Sequence, residues 1–312
     1  MLATFLIVLP IFALILAGFL ARRFGLLGPQ ATTEFNRFVV YLALPALLFD
    51  ITAHARLADV WRPGFIAAFG LAALLVFALT VALRLRGGKH LADAAIDGLN
   101  AGYSNTGYMG FPLVLAAFGR DALPTALIAT IITVCVIFAF AIILIEAGLQ
   151  SESSRTKLVL KVATSLVRNP LLVAPVLGAL VPLAGWSLPV PAENFLKMLG
   201  STASPCALVA LGLFLAAQSG GAEKRETWVV AGLASLKLLA NPLLAWLLAR
   251  FLFQLEPTLV HAAVLLSALP TGTGSFMLAE FYNREAEVTA KVVLISTIVS
   301  VATITGYLAL IR

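Results

Sequence analysis

The 312-residue chain is 61% hydrophobic and only 12% charged, and its mean hydropathy is +1.01. Soluble globular domains are about 45–50% apolar, so this composition excludes a soluble protein and predicts an all-α polytopic membrane protein. The net charge of +6 comes from basic residues spread over the polar connections. We interpret these residues as determinants of the orientation of the chain in a lipid bilayer, and we expect no nucleic-acid-binding surface.

Ten apolar runs follow one another along the chain, and most have about the 20 residues that a membrane-spanning helix needs. We refer to them as the first to the tenth span. They cover approximately residues 3–21, 36–54, 63–84, 94–118, 122–147, 166–184, 194–217, 228–252, 258–281 and 287–311. The longest polar connection, about Gly148 to Arg168, is too short to form a soluble domain.

Lys and Arg are concentrated in the connections on one side of the predicted membrane, which include Arg37, Arg84, Lys89 and Arg284. Cytoplasmic loops carry an excess of these residues. The distribution therefore predicts that this side is cytoplasmic and that both termini lie on the opposite side.

The two halves of the chain, residues 1–150 and 151–312, show internal similarity. At an offset of 160 residues, Pro10, Gly18 and Pro45 align with Pro170, Gly178 and Pro205. At an offset of 164, Gly110, Arg120 and Asp121 align with Gly274, Arg284 and Glu285. Each half holds five spans, and an odd number places the halves in opposite membrane orientations. The pattern predicts two inverted five-helix repeats.

The fourth and ninth spans are interrupted by small, polar and helix-breaking residues. The interruptions are Ser104–Pro112 and Leu269–Ser275, and the alignment pairs Asn105–Gly110 with Leu269–Gly274. Pro removes a backbone donor and Gly lowers the cost of non-helical backbone. We therefore expect two broken helices that cross near the membrane centre. The predicted break residues are Gly107, Gly110, Pro112 and Gly274.

Interrupted spans in corresponding places of two repeats indicate the binding site of a transporter. Half-helix N-termini present partial positive charge and free N–H groups, which favour an anion. The predicted substrate-binding residues are Asn105, Ser104, Thr106, Pro270, Thr271, Gly272 and Thr273. Asn105 has two readings that are compatible, a hydrogen bond to substrate or a cap of the second half-helix.

Three further kinds of residue are predicted to support this site. Lys237 lies within the eighth span, where it either attracts a carboxylate or faces the C-terminal carbonyls of a half-helix. Asp97 precedes the break of the fourth span and is the better of two candidates there for a proton or support site. Pro45 and Pro205, one in each half, are expected to kink scaffold helices against the site.

Six short motifs, taken in order, are similar to those of the auxin efflux carrier family, which includes bacterial carboxylate permeases and the plant PIN-FORMED carriers. They are Asn36-Arg37-Phe38-Val39 leading to Pro45, Asn105-Thr106-x-x-Met109-Gly110-x-Pro112, Arg168-Asn169-Pro170, Ala210-Leu211-Gly212-Leu213, Ala268-Leu269-Pro270-Thr271-Gly272 and Phe281-Tyr282-Asn283. The resemblance extends over nearly the whole chain. Unlike the plant carriers, this chain has a connection of only about twenty residues between its halves.

The resemblance implies the ten-helix fold of bile-acid symporters and sodium/proton antiporters. Spans 1, 2, 6 and 7 would form a scaffold, and spans 3–5 and 8–10 a transport unit that moves as an elevator. It further implies a homodimer. In a bacterial inner membrane, the distribution of Lys and Arg described above would place both termini in the periplasm. No cofactor is expected. Proton or sodium coupling remains open, since Asn105 and Thr273 offer some oxygen ligands but no full set is visible.

The leading hypothesis is secondary or facilitated transport of small organic anions, namely mono- or dicarboxylates or auxin-like acids. A cation/proton antiporter on the same fold is the alternative within transport, but neither interruption contains Asp or Glu. A non-transporting ligand sensor is a second alternative. An enzyme is disfavoured because no zinc-protease motif occurs, and no phosphate-binding loop for ATP is present.

Overall fold

The structure is a computed structural model, and it describes residues 2–55, 61–150, 163–164, 166–217 and 224–311. Within these ranges the regular elements are helices, and no strand is formed. The helices are α1 (Leu2–Arg23), α2 (Ala31–Ala53), α3 (Pro63–Arg86), α4 (Leu91–Gly102), α5 (Thr106–Phe118), α6 (Arg120–Leu149), α7 (Pro170–Leu183), α8 (Val190–Ala217), α9 (Glu226–Leu252), α10 (Pro257–Ser267), α11 (Thr273–Phe281) and α12 (Ala286–Leu310).

Six of the described helices, α2, α3, α6, α8, α9 and α12, are long and apolar enough to cross a membrane. This confirms the class of an all-helical, multi-pass membrane protein. The fourth predicted span is divided into α4 and α5, and the ninth into α10 and α11. Most of the cytoplasmic connection predicted between the two halves lies outside the described residues.

Three helices contain a π-helical turn that ends just before a proline. The turns are Val39–Ala43 before Pro45, Thr106–Gly110 before Pro112, and Leu236–Ala240 before Pro242. Proline has no N–H for the carbonyl four residues earlier, so the backbone widens locally. Pro45 follows the π-helical turn of α2, and Pro205 follows a one-residue interruption of α8 at Thr202.

Two close helix contacts organise the part of the bundle that contains α1, α2, α7 and α8. A Cβ atom on Gly18 of α1 would lie 2.1 Å from the carbonyl oxygen of Val209 in α8. One on Gly178 of α7 would lie 2.5 Å from the carbonyl oxygen of Phe49 in α2. Only glycine permits such approaches, and in membranes small residues let helix backbones pack closely.

Ion pairs tie together the helix ends on the side that the basic residues predict to be cytoplasmic. Arg284 binds both carboxylate oxygens of Asp93, at 2.5 and 3.1 Å. Lys89 pairs with Glu285, and Lys291 bridges Glu226 and Glu287. The first two contacts join the α11–α12 connection to α4 and to the α3–α4 connection, and the third joins α12 to α9.

Candidate functional site

The two chain interruptions meet each other directly. The N–H of Asn105 donates to the carbonyl of Pro270 over 2.9 Å, and the N–H of Gly272 donates to the carbonyl of Tyr103 over 3.1 Å. Together they form an isolated antiparallel bridge between Ser104 and Thr271. Backbone groups freed by a helix break need such partners at membrane depth. Each interruption therefore satisfies the other.

A helix begins on either side of this bridge. α5 starts at Thr106, immediately after Asn105, and α11 starts at Thr273, immediately after Gly272. The first N–H groups of a helix have no acceptor within that helix. They also carry the positive end of the helix dipole. Two partial positive charges are thereby directed toward one region of the protein.

A cavity of about 190 Å³ lies at these helix starts, and we call it the central cavity. Its lining from the two interruptions comprises Tyr103, Ser104, Asn105, Gly107, Tyr108, Thr273 and Gly274. The opposite wall comes chiefly from α2 and α8 and includes Val39, Leu47, Ser204 and Pro205. No Lys, Arg, His, Asp or Glu is among the described residues that line it.

Asn105 and Ser104 both line the central cavity. Asn105 is 8% exposed, lines the cavity, and its side chain makes no capping hydrogen bond to α5. The Ser104 hydroxyl is buried without a hydrogen-bond partner. A buried polar group without a partner is costly. Both side chains are therefore available to a ligand.

Four of the predicted binding residues do not line the central cavity. Thr271 is fully buried, and its hydroxyl donates to the carbonyl of Asn100 over 2.7 Å. Thr106 is fully buried too, with an unpartnered hydroxyl. Pro270 and Gly272 contribute backbone groups to the bridge. The structure therefore places these four behind the cavity wall.

Two of the four predicted break residues line the central cavity and the other two do not. Gly107 and Gly274 line the cavity, whereas Pro112 lies in the second turn of α5. Gly110 packs against α10, where an added Cβ would lie 3.1 Å from a methyl group of Leu266.

Tyr103 is a cavity residue that the sequence reasoning missed. Its ring packs 5.6 Å from that of Phe138, measured between centroids, and lies against two glycines. A Cβ on Gly272 would meet the ring at 2.4 Å, and one on Gly274 would meet the hydroxyl at 2.6 Å. The two glycines spaced by one residue were the signal that a bulky group approaches the backbone there. Ser204 was also missed, although it precedes the predicted Pro205.

Lys237 lies outside the cavity lining. It is fully buried, and its Nζ donates to the carbonyl of Ser267 over 2.6 Å. One turn further along α9, Asn241 is 1% exposed and neither polar atom of its amide has a hydrogen-bond partner.

Asp97 also lies outside the cavity lining and is fully buried. Its Oδ2 accepts a hydrogen bond of 2.6 Å from Nε of Arg84, and its Oδ1 has no hydrogen-bond partner. In the described part of the chain, no group of His, Cys, Asp and Glu is arranged to hold a metal ion.

Comparisons with known proteins match this chain to membrane transporters. A family model described as "Membrane transport protein" matches residues 4–308. A Rhizobium meliloti protein named "Putative malonate transporter" is 33% identical over 98% of this chain and 95% of its own length. Auxin efflux carrier component 8 of Arabidopsis thaliana is 24% identical over 96% and 94% of the two chains. An uncharacterized transporter of Methanocaldococcus jannaschii is 25% identical over 96% of each.

Proposed function

The chain belongs to the auxin efflux carrier family of membrane transport proteins, and from this membership we propose that it transports small organic anions through the central cavity. The substrates would be mono- or dicarboxylates, with auxin-like acids included. Transport would be secondary or facilitated, since no ATP-binding motif occurs in the sequence.

The convergence of two helix N-termini on one uncharged cavity carries this proposal. Gly107 and Tyr108 near the start of α5, and Thr273 and Gly274 at the start of α11, line the cavity. The positive end of a helix dipole suits carboxylate oxygens. The unpartnered Ser104 hydroxyl and the Asn105 amide add donors at the same place. A lining without Asp or Glu supplies no carboxylate for a cation, which favours an anion over the antiporter alternative.

The name of the Rhizobium relative adds a substrate class. Malonate has two carboxylates, and two helix N-termini would each receive one of them. Because the 33% identity extends over almost the whole of both chains, dicarboxylates are the first compounds to test.

Two pairs of contacts support the inverted repeat. Asn105 and Gly272 are 167 residues apart, and so are Tyr103 and Pro270. The Asn105–Pro270 and Gly272–Tyr103 hydrogen bonds therefore join equivalent positions of the two halves. In the same way, Gly18 and Gly178 are 160 residues apart, and so are Phe49 and Val209. The Gly18–Val209 and Gly178–Phe49 contacts are therefore equivalent as well. Such interchange is what a two-fold axis in the membrane plane produces. The repeats, residues 1–150 and 151–312, and the ten spans that they imply remain part of the proposal.

The position of the cavity supports an elevator mechanism. One wall comes from α2 and α8, assigned to the scaffold spans, and the other from α5 and α11, assigned to the transport spans. Movement of the second group along the first would carry the site across the membrane. A homodimeric scaffold in a bacterial inner membrane, with periplasmic termini, completes the proposal.

Counterflow into proteoliposomes tests the function. Purified protein would be reconstituted with internal unlabelled malonate, and uptake of labelled mono- and dicarboxylates measured with and without pH and sodium gradients. We expect exchange of at least one small dicarboxylate. Collapse of a sodium or pH gradient without movement of any organic anion would favour the antiporter, and binding without flux would favour the sensor.

A further inference from the structure

A second cavity, of about 390 Å³, lies between α2 and the C-terminal turn of α11. We call it the lateral chamber. Its lining includes Thr33, Asn36, Arg37, Tyr41, Glu280 and Phe281. It therefore contains a guanidinium, a carboxylate and an amide, in contrast to the uncharged central cavity.

The lateral chamber and the central cavity follow one another along the same pair of helices. On α11, Met277 lines the central cavity, and Glu280 and Phe281, one turn later, line the chamber. On α2, Val39 lines the central cavity and Asn36, one turn earlier, lines the chamber. The two spaces have no lining residue in common, although their linings lie only one turn apart on both helices.

The side chain of Asn36 joins α2 to α11 at the level between the two linings. It is 3% exposed, and its amide nitrogen donates to the carbonyl of Met277 over 3.2 Å while its oxygen accepts from the N–H of Phe281 over 3.1 Å. This carbonyl and this N–H are four residues apart and belong to the last turn of α11, so the Asn36 amide adds a second partner to each of them. One side chain of α2 thus holds the last turn of α11.

An aromatic contact strengthens the same interface. The rings of Tyr41 and Phe281 meet edge to face with centroids 5.7 Å apart, an arrangement that aromatic pairs prefer. Of the two charged groups in the chamber, Arg37 pairs weakly with Glu34 at 3.6 Å, with both side chains more than half exposed. Its guanidinium is therefore free to meet an anion.

We propose that the lateral chamber is an antechamber for the substrate anion, and that Asn36 keeps it separate from the central cavity by holding α11 against α2. Asn36 is a positioning residue, because it acts through the last turn of α11. The identity of the passing anion rests on the proposed function, but the separation of the two spaces does not. Release of the Asn36 amide would join them.

Thiol labelling tests this separation without any substrate. Cys135 and Cys206 would be replaced by Ala, and a single reporter introduced as Ser204→Cys in the central cavity or Thr33→Cys in the chamber. Membrane vesicles of both orientations would receive an impermeant thiol reagent. The vesicle orientation in which Thr33→Cys reacts faster identifies the membrane face from which the chamber is reached, independently of the predicted topology.

Asn36→Ala should accelerate labelling of Ser204→Cys about tenfold from the chamber side, because the two hydrogen bonds between α2 and the last turn of α11 are lost. Labelling of Thr33→Cys should not change. Asn36→Asp keeps the size and the acceptor but loses the donor to Met277, so it should act in the same direction even if the alanine variant folds poorly. Asn194→Ala, at an exposed position of α8, is the matched control.

An unchanged Ser204→Cys rate in folded Asn36→Ala and Asn36→Asp protein, judged by size-exclusion chromatography, would overturn the proposal. Faster labelling together with no counterflow of any organic anion would support the separating role of Asn36 and would contradict the proposed transport function instead. The two failures are therefore distinguishable.

Discussion

Lys237 donates a hydrogen bond of 2.6 Å from its Nζ to the carbonyl oxygen of Ser267, the last residue of α10. Both residues are fully buried. The C-terminal carbonyls of a helix carry partial negative charge, so the ammonium compensates the end of α10 just before the chain enters the bridge. Since Lys237 does not line the central cavity, we propose an electrostatic supporting role for it.

Lys237→Met should reduce the rate of transport while substrate affinity stays nearly constant. The substitution leaves the Ser267 carbonyl unpaired, at a cost of about 1–3 kcal/mol, but also removes a buried cation that is expensive in itself. The position of α10 relative to the bridge changes, whereas the groups around the ligand do not. Equilibrium binding and initial rates of counterflow, measured on the same preparation, separate the two effects.

Lys197→Met is the control for this experiment, because Lys197 is exposed on α8 and pairs only loosely with Glu193 at 3.5 Å. A tenfold loss of affinity in Lys237→Met at an unchanged maximal rate would contradict the supporting role. It would instead indicate that Lys237 attracts the carboxylate directly.

Asn105→Ala should weaken substrate binding without destabilising the protein. The amide makes no capping hydrogen bond, so its removal costs the fold little. A hydrogen bond to a charged group contributes about 1.5–3 kcal/mol, which predicts at least a tenfold rise in the dissociation constant. Binding isotherms and thermal denaturation of the purified protein are the measurements. A large fall in the melting temperature with unchanged binding would show that Asn105 serves only its own helix.

The class of fold and the location of the interruptions could be predicted because they depend on local chemistry. Apolar content predicts membrane spans regardless of what packs against them. Pro and Gly interrupt helices through their own backbone properties. The structure accordingly begins α5 at Thr106, within the stretch that was expected to be broken.

The residues that complete the site could not be predicted, because they depend on contacts between distant parts of the chain. The alignment of the halves gave an offset of 164 at the interruptions, but Ser104 pairs with Thr271, an offset of 167. The connection between α10 and α11 is longer than the one between α4 and α5, and no local pattern reports this. Tyr103 and Ser204 reach the cavity only through that pairing and through the packing of α8.

Gly272→Ala and Gly274→Ala should both reduce binding, but only the second should be partly relieved by Tyr103→Phe, which leaves the ring carbon beneath the hydroxyl 2.9 Å from the added Cβ. A Cβ on Gly274 first meets the Tyr103 hydroxyl at 2.6 Å, which Phe lacks, whereas a Cβ on Gly272 meets ring carbons at 2.4 and 2.7 Å. Binding is compared among the three single variants and the two double variants that contain Tyr103→Phe. Gly232→Ala is the control, since nothing lies within 4 Å of its added Cβ. Equal relief of both variants would mean that Tyr103 is not the obstacle.

Arg37→Gln and Glu280→Gln should change the apparent KM for an anion in opposite directions. Both groups face the lateral chamber, so the loss of Arg37 removes attraction and the loss of Glu280 removes repulsion. At an effective dielectric constant near that of water, one such charge contributes about 1 kcal/mol, or several-fold in KM, and the effect should decline with salt. Arg250→Gln, on α9 away from the chamber, should have no effect. Shifts in the same direction would exclude an anion path through the chamber.

Arg84→Met should destabilise the protein more than any other single substitution considered above. It leaves Asp97 fully buried without the 2.6 Å partner of its carboxylate, and breaking a buried pair in this way costs about 3–5 kcal/mol. Asp97→Asn should be milder, because the amide is neutral and still able to accept from Arg84. Combining Asp97→Asn with Arg84→Met should recover much of the loss, so that the double variant is more stable than Arg84→Met alone. Thermal denaturation in one detergent measures all three, and a strictly additive double variant would show that the two side chains do not act as a pair.

The Asp97→Asn variant also tests Asp97 as a proton site. If Asp97 has this role, counterflow by the folded variant should lose its response to a pH gradient while exchange at equal pH continues.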